Sequence, residues 1–321
     1  MRHRRIFPLV MRIALWVSCR YKKEVSMSNV VLSRVRMPTT LEIAVIDEYG
    51  QHRQQAIAAE RALTVYLNRQ EIVTLMTLGA EPEALVLGYL RNQGLLVRVE
   101  DVEALQVDWD VEAAAVVTRA LPEDLDARLA QRTVTTGCGQ GTVFGRLLDA
   151  TDLQPLPRAP LSQAVLYRML DNLGQFNETY RNAGAVHGCA LCRQDRVLGF
   201  VEDVGRHNAV DTLAGRQWLA ALGEGAPEDA ELASADIFYT TGRLTSEMVL
   251  KVAQMGISVL VSRSGMTQKG VELAQRFGVL LVARAKGRHF QVVDQQARLV
   301  LDAMPAPRPG DKAAFRHKDS S

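Results

Sequence analysis

Cysteine is scarce in this chain, with four residues in 321. So few thiols exclude a disulfide-stabilised scaffold at this length and indicate a reducing compartment, where cysteine more often serves catalysis or metal binding. Long hydrophobic runs are absent as well, because no uninterrupted apolar stretch approaches the ~20 residues of a membrane-spanning helix. The sequence therefore predicts a globular protein with no membrane segment, and its length allows one large domain or two medium ones.

An excess of charge of either sign is also missing, since the net charge is +2. The first 26 residues carry seven Lys or Arg and one Glu, so the remaining 295 sum to −4. A broadly basic nucleic-acid-binding body is excluded. Met1–Ser26 resembles a signal peptide only superficially, because Pro8 and Arg12 interrupt its apolar run and no cleavage site follows. We expect residues 1–27 to be a basic extension, disordered or not translated, with Met27 as an alternative start.

Residues 28–150 are predicted to form a smaller, β-rich N-terminal part. Two strand-like runs flank Asn68-Arg69 and indicate a hairpin, and Pro82 and Gly94 bound a helix. The run Leu95–Val99 is predicted to be a further strand. Because this part has no charged cluster placed for chemistry, we interpret it as scaffold.

Residues 151–301 follow a proline-rich connector and are predicted to form an α/β domain, with a flexible tail at 302–321. Ser162 can cap a helix that ends at Gly174. From Asp236 onward, strands alternate with single helices, which predicts parallel pairing with right-handed crossovers. The overall fold class is therefore α/β, or α+β if the N-terminal part is included.

Three loops of this domain suit the binding of anions. Parallel sheets bind ligands beyond the carboxyl ends of their strands, and Thr240–Arg243, Ser262–Thr267 and Arg284–Arg288 follow three such ends. Backbone N–H groups at helix N-termini, hydroxyls and guanidinium groups all favour phosphate. If the three loops converge, they predict a site for a large polyanion such as a dinucleotide-like cofactor, although each alone could be a solvated surface loop.

The segment Glu202–Asp211 leads from a predicted strand into a helix and sets acid, guanidinium, imidazole and amide groups side by side. Asp203 and Asn208 could serve as exposed helix caps. Arg206 and His207 together favour a functional role, because such a pair is poorly suited to a core and well suited to orienting an anion.

Cys138 lies in the loop Thr135–Gly141, between two glycines. Glycine leaves room for a partner to approach the sulfur, and closely spaced backbone N–H groups would favour the thiolate. The loop could carry a covalent sulfur intermediate, although a small buried residue in a turn is the alternative.

These segments, in this order, resemble the formate dehydrogenase accessory sulfurtransferases, the FdhD family. The resemblance covers roughly Leu41–Val293 and is most specific over Asp203–Asp211. It implies a cytidine-deaminase-like three-layer α/β/α fold for the C-terminal part, and a cytoplasmic homodimer. It further implies a sulfur carrier that takes persulfide sulfur from a cysteine desulfurase and passes it to the molybdenum bis-molybdopterin guanine dinucleotide cofactor of formate dehydrogenase.

The resemblance also assigns site residues. Cys138 aligns with the persulfide carrier of the family, and no resident metal is implied. The residues expected to bind the cofactor are Ala283, Arg284, Ala285, Lys286, Gly287 and Arg288, together with Arg206, His207, Gly242 and Arg243. Gly141 stands where the family often has a second loop cysteine, which puts a resolving thiol in that loop in doubt.

Two other functions remain open at the level of sequence. A chaperone could hold the cofactor or the apo-enzyme without carrying sulfur. A zinc hydrolase or deaminase is suggested by His187 and the Cys189-x-x-Cys192 spacing. Position 189 is Cys where a zinc deaminase needs its catalytic Glu. Two cysteines at an odd separation in one strand would also point to opposite faces.

Overall fold

The computed structural model describes residues 30–123, 125, 133–134, 141–142, 153–293 and 297–305, with only the backbone considered at 133–134 and 141–142. The N-terminal strands are β1 (Val31–Leu32), β2 (Thr40–Ile46), β3 (His52–Ala58), β4 (Arg61–Leu67), β5 (Gln70–Thr77), β6 (Val102–Asp108), β7 (Ala113–Thr118), β8 (Thr133–Val134) and β9 (Gly141–Thr142). Five of them form one sheet in the order β1-β6-β7-β4-β5, while β2 pairs with β3 and β8 with β9.

The predicted hairpin at Asn68-Arg69 is confirmed. Strands β4 and β5 pair antiparallel, and both turn residues have positive φ, 43° and 77°, which is the backbone of a tight two-residue turn. Helix α1 (Pro82–Asn92) also begins at the predicted proline. The strand predicted at Leu95–Val99 is wrong: the chain there leaves α1 through turns and enters a 3₁₀ segment, Val99–Asp101. Leu95, Leu96 and Val99 are apolar because they are buried against the N-terminal core, a signal that cannot distinguish a strand from a packed turn.

The remaining elements belong to the C-terminal part. The helices are α2 (Gln163–Leu173), α3 (Glu178–Ala183), α4 (Arg206–Ala221), α5 (Ser246–Gln254) and α6 (Gln268–Phe277), with a 3₁₀ segment at Pro227–Ser234. The strands are β10 (Leu161–Ser162), β11 (His187–Arg193), β12 (Arg196–Asp203), β13 (Ile237–Thr240), β14 (Val259–Ser262), β15 (Leu280–Lys286), β16 (His289–Val293) and β17 (Leu299–Val300).

Six of these strands form a mixed sheet in the order β12-β11-β13-β14-β15-β16. The three central strands, β13, β14 and β15, are parallel, as their alternation with helices predicts, and the outer pairs are antiparallel. Helix α2 begins with the predicted cap, because the Val165 amide donates to Ser162 Oγ at 3.1 Å. Strands β10 and β17 form a separate parallel pair.

Buried side chains cover both faces of the six-stranded sheet. One face packs against α4, α5 and α6 through residues such as Phe238, Leu260 and Met248. The other packs against α2 through residues such as Tyr239 and Leu166. The mixed α/β class is therefore confirmed, while the likeness to cytidine deaminases and the domain boundaries remain predictions. No helix in the described ranges is long and apolar enough to cross a membrane.

Helices α1 and α4 cross at a contact that only glycine permits. A Cβ on Gly88 would lie 1.7 Å from the carbonyl oxygen of Asp211, and one on Gly215 would lie 1.8 Å from that of Ala84. The two backbones therefore touch directly, which brings the N-terminal part against the first half of α4. This contact places side chains of α1 and β5 beside the segment that the sequence marks as functional.

Candidate functional site

Three loops meet at the carboxyl edge of the parallel strands. The Leu244 amide donates to the carbonyl of Gly265 and the Thr267 amide to that of Leu244, both at 3.0 Å. The Arg284 amide donates to the carbonyl of Ser264 at 2.8 Å. The loops that follow β13, β14 and the bulged end of β15 thus form one hydrogen-bonded border, here called the rim (residues 241–245, 263–267 and 284). The rim therefore joins the loops after β13 and β14 to Arg284, whereas the rest of the predicted loop Arg284–Arg288 belongs to the β15–β16 hairpin.

Two buried hydroxyls fix the backbone of the rim. Thr240 Oγ1 accepts from the Gly242 amide at 3.0 Å. Ser262 Oγ donates to the Gly242 carbonyl at 2.5 Å and accepts from the Ser264 amide at 2.9 Å. These small polar residues at the strand ends therefore shape the backbone of the loops.

The cations of the rim lie on its outer side. Arg243 and Arg263 follow β13 and β14, Arg284 lies within β15 near its end, and all three are exposed. Arg284 sits at an irregularity of β15 with a positive φ of 51°, which interrupts the strand there. Exposed guanidinium groups at this edge make it suitable for phosphate oxygens, and the Arg263 side chain also bonds to Tyr239 on the α2 face of the sheet.

Helix α4 brings Arg206 and Gly242 together. Gly205 is its N-cap residue, so Arg206 and His207 are its first two residues. A Cβ on Gly242 would lie 2.4 Å from Arg206 Cδ and 3.0 Å from its Cβ. Arg206 therefore lies directly over the backbone of the rim, and Gly242 is required there by the close approach.

The residues of the predicted segment Ala283–Arg288 differ in how far they are buried. The side chains of Ala283 and Ala285 are fully buried in the clusters on opposite faces of the sheet. Lys286 pairs with His289 in the β15–β16 hairpin, with Gly287 at the turn. Arg288 lies over the ring of Tyr167 at 5.7 Å, and its carbonyl accepts from Tyr167 Oη at 3.1 Å. Arg284 is thus the residue of this segment that the structure joins to the rim.

Asp203 is a buried hub rather than an exposed cap. Its Oδ2 accepts from Thr77 Oγ1 at 2.6 Å and from the Leu78 amide at 3.2 Å. Its Oδ1 accepts from the Gly205 amide at 3.1 Å and from Asn208 Nδ2 at 2.9 Å. Burial raises the pKa of Asp203, and these four hydrogen bonds oppose that shift. The sequence allowed Asp203 and Asn208 to be exposed helix caps. Both side chains are buried, so the predicted exposure is wrong.

A chain of buried ionisable groups lies behind Arg206. His207 Nε2 is 3.3 Å from Glu247 Oε2, and Lys251 Nζ is 3.4 Å from Glu247 Oε1. Lys251 Nζ also donates to Asp211 Oδ2 at 2.7 Å, and Asn92 Nδ2 donates to Asp211 Oδ1 at 2.7 Å. All five residues are at most 4% exposed. We call His207, Glu247, Lys251 and Asp211 the buried charge chain.

His207 is neutral in this setting. Burial lowers its pKa well below the usual value of 6.5, and Lys251, Arg206, His187 and Arg243 lower it further. Lys251 is held in place by a carboxylate on each side. The site thus combines an uncharged imidazole with several fixed cations.

His187 lies at the start of β11, at the same edge of the sheet. Its Nδ1 is 3.3 Å from Thr241 Oγ1, which also accepts from the Gly188 amide at 3.1 Å. Burial lowers the pKa of His187, and Arg206 and Arg243 lower it further. The imidazole is therefore part of the cationic surroundings of the rim rather than an isolated side chain.

The two cysteines of β11 cannot share a zinc ion. Cys189 packs in the cluster on one face of the sheet and Cys192 in the cluster on the other, as their odd separation predicts. Burial raises the pKa of each thiol to about 12. Among the residues that the structure describes, no group of three or more His, Cys, Asp and Glu could hold a metal. A zinc hydrolase is therefore not supported by this arrangement.

Several residues of the site are not indicated as functional by any motif in the sequence. Glu247 and Lys251 lie on α5 among apolar residues, and their spacing of four is the one local signal that they pair. Thr77 and Asn92 come from the part interpreted as scaffold, and their role depends on the α1–α4 contact. Cys138, the predicted sulfur carrier, lies outside the described residues, between the paired strands β8 and β9.

Comparison with known proteins identifies relatives of this chain. The model of the FdhD/NarQ family matches residues 58–300, well over half of the chain. Sulfur carrier protein FdhD of Wolinella succinogenes is 29% identical over 82% of this chain and 91% of its own length. The protein of the same name from Bacillus subtilis is 26% identical over 77% of this chain and 91% of its own.

A solved structure agrees with these matches. The crystal structure of a protein assigned as a formate dehydrogenase accessory protein, from Desulfotalea psychrophila, has a TM-score of 0.62 and 27% identity. The match covers 82% of this chain and all of that one. Fold and sequence comparisons therefore point to the same group of proteins.

Proposed function

The chain belongs to the FdhD/NarQ family, and on that premise we propose that it is a sulfur carrier required for formate dehydrogenase activity. Cys138 takes persulfide sulfur from a cysteine desulfurase. The protein then passes that sulfur to the molybdenum bis-molybdopterin guanine dinucleotide cofactor, which it binds as cargo. Formate dehydrogenase receives the cofactor, and the carrier acts as a homodimer in the cytoplasm.

The observation that carries this proposal is the rim. The exposed guanidinium groups of Arg243, Arg263 and Arg284 suit a ligand with several phosphate groups. Arg206, which lies over Gly242, adds a fourth guanidinium group at the start of a 16-residue helix. A dinucleotide cofactor presents phosphate groups of this kind, so the residues present fit the proposed cargo.

Different parts of the predicted segment have different roles in this proposal. Arg206, His207, Gly242, Arg243 and Arg284 surround the phosphate groups. Lys286, Gly287 and Arg288 lie on the hairpin beyond the rim and would contact a more distant portion of a large ligand. The buried side chains of Ala283 and Ala285 support the strand, so only their backbone is available to a ligand.

Neither Cys189 nor Cys192 serves as the sulfur carrier. Cys189 is fully buried and its thiol pKa is raised to about 12, which leaves no thiolate near neutral pH. Cys192 has the same properties on the opposite face. The proposal therefore depends on Cys138.

A second function is a chaperone that holds the cofactor without carrying sulfur. The cationic rim favours this alternative as much as it favours the carrier, because both bind the same ligand. Whether Cys138 takes up sulfur distinguishes the carrier from the chaperone, because a chaperone needs no reactive thiol.

Intact-protein mass spectrometry tests the carrier directly. The protein is incubated with a cysteine desulfurase and L-cysteine, beside the Cys138→Ala and Cys189→Ala variants. We expect a gain of one sulfur atom that reductant removes, that is absent from Cys138→Ala and that persists in Cys189→Ala. The same gain in Cys138→Ala would refute Cys138 as the carrier and place the sulfur on another cysteine, and no gain in the wild-type chain would leave the cofactor-holding chaperone.

A further inference from the structure

His207 occupies a buried position in which its hydrogen-bonding capacity is not used. The side chain is 4% exposed, and neither ring nitrogen makes a hydrogen bond to another described residue. Glu247 Oε2 nevertheless lies 3.3 Å from Nε2. A carboxylate oxygen at this distance can accept a proton-bearing nitrogen after a small movement, so the position offers a partner for a charged imidazole.

The charges around His207 come from four elements. Arg206 and Asp211 belong to its own helix, and Glu247 and Lys251 face it from α5. Arg243 on the rim adds positive charge, and His187 at the start of β11 also disfavours protonation of His207. The N-terminal end of α4 contributes a further positive potential. Burial is the largest cause of the lowered pKa of His207, and the positive groups lower that pKa further, so the free protein disfavours a charged imidazole.

The same positive groups are the ones that an anion on the rim would contact. Arg243 is exposed on the rim, and Arg206 lies across Gly242. A phosphate bound there offsets the charges that oppose protonation of His207, whereas Glu247 stays in place to pair with the imidazolium. An opposite charge nearby favours the charged form of a basic group and so raises its pKa.

We propose that a phosphate-bearing nucleotide bound at the rim induces protonation of His207, so that the protein takes up one proton from solvent for each ligand it binds. This inference rests on the proposed function, because it assumes that the rim binds the nucleotide part of the cofactor. The proton is added to a ring nitrogen, no bond to the ligand forms, and no group is oxidised or reduced. His207, as part of the buried charge chain, then accepts the proton that is taken up when the anion binds at the rim.

Linkage gives this proposal a measurable consequence. Because the bound state holds one more proton than the free state, affinity for the nucleotide increases as the pH falls. The increase is at most about tenfold per pH unit and is confined to the interval between the pKa of His207 in the free protein and its pKa in the complex. Above that interval, the cationic rim binds the nucleotide without the proton.

Isothermal titration calorimetry tests the proposal with GDP as the probe. The full-length protein is titrated near pH 6.5 in two buffers of different ionisation enthalpy, and the difference in observed enthalpy gives the number of protons exchanged. We expect proton uptake in the wild-type protein of at most one proton per GDP, with its size set by how far the pKa of His207 rises toward the working pH in the complex. His207→Gln should abolish the uptake, and His52→Gln, an exposed histidine of β3, should leave it unchanged.

The variants also distinguish other sources of the proton. Uptake that survives in His207→Gln, or that is lost in His187→Gln alone, overturns the assignment to His207. Binding without proton uptake in the wild type overturns the inference and leaves the rim as a nucleotide site. Absence of GDP binding overturns both, but it leaves the mass-spectrometric test of Cys138 unaffected.

A spectroscopic measurement covers the case in which His207→Gln does not fold. Long-range ¹H–¹⁵N spectra of the wild-type protein report the protonation of each histidine ring, with and without GDP. We expect one buried imidazole to change from neutral to charged on GDP addition. Pyrophosphate, used as a second probe, should produce the same change if phosphate alone is responsible. Imidazole signals that stay neutral with bound GDP would refute the proposal.

Discussion

The backbone of Gly242 packs against the side chain of Arg206, because a Cβ on Gly242 would lie 2.4 Å from Arg206 Cδ. The distance leaves no space for any other residue at position 242 unless the arginine moves. Position 242 therefore sets where the guanidinium group of Arg206 lies relative to the rim. This relationship links the loop after β13 to the start of α4, two segments that are 36 residues apart in the sequence.

The first prediction follows from this contact. Gly242→Ala should displace Arg206 and weaken GDP binding by about 10- to 150-fold, because one charge-assisted hydrogen bond contributes roughly 1.5–3 kcal/mol. Isothermal titration calorimetry measures the change. Gly265→Ala is the matched control, since a Cβ there has no neighbour within 4 Å and its φ is not in the left-handed region. Equal affinities of the two variants would show that Arg206 makes no contact with the ligand.

Much of the C-terminal fold could be predicted from the sequence, because its signals are local. The alternation of apolar runs with capped helices from Asp236 onward predicts β13, β14 and β15 and their parallel pairing. Ser162 and Thr267 mark their helix starts with side chains that accept from the amides of Val165 and Gly270. Strand ends in such a sheet bring their loops to one edge, so the rim was also predictable.

The buried charge chain was not predictable, because it is assembled from elements distant in the sequence. Asn92 reaches Asp211 across the α1–α4 contact, a separation of 119 residues. Thr77 reaches Asp203 across 126 residues. Composition and periodicity describe each element by itself and contain no information on such pairs. The strand prediction at Leu95–Val99 is wrong for a different reason, because apolar residues in a buried turn resemble a short strand in sequence.

A second prediction concerns Lys251. Lys251→Met removes the cation between Asp211 and Glu247 and leaves two carboxylates in a buried environment. We expect a loss of about 3–5 kcal/mol in the free energy of unfolding, measured by urea denaturation. Lys269→Met is the control, because Lys269 is 61% exposed and its surface pair with Glu272 should contribute little to stability. A change of similar size in both variants would contradict the structural role of the buried charge chain.

A third prediction concerns the pH dependence of stability. Folding lowers the pKa of His207 from its ordinary value of 6.5, so the unfolded chain binds more protons as the pH falls below about 6.5. The stability that neutral His207 provides is therefore complete above pH 6.5 and is lost as the pH falls toward its folded-state pKa, at up to about 1.4 kcal/mol per pH unit. His187 acts in the same direction, because its pKa is lowered too.

Denaturation curves of the wild type and of His207→Gln at several pH values isolate this contribution. Asp203 and Asp211, whose pKa values are raised, stabilise the protein in the opposite direction at lower pH, but they are present in both proteins. The difference between the two curves should grow as the pH rises from about 5 to about 7. A constant difference would mean that His207 does not titrate between the folded and unfolded states.

The last prediction concerns the thiols of β11. Cys189 and Cys192 are fully buried, and their thiol pKa values are raised to about 12, so neither forms a thiolate near pH 8 in the folded protein. Native alkylation with iodoacetamide, followed by peptide mass spectrometry, should leave both unmodified, while denaturant should expose both to complete reaction. Cys138 should react under native conditions if it carries sulfur. Rapid native labelling of Cys189 would instead show that β11 opens to solvent, and a sulfur gain in the Cys138→Ala protein would then have a second acceptor.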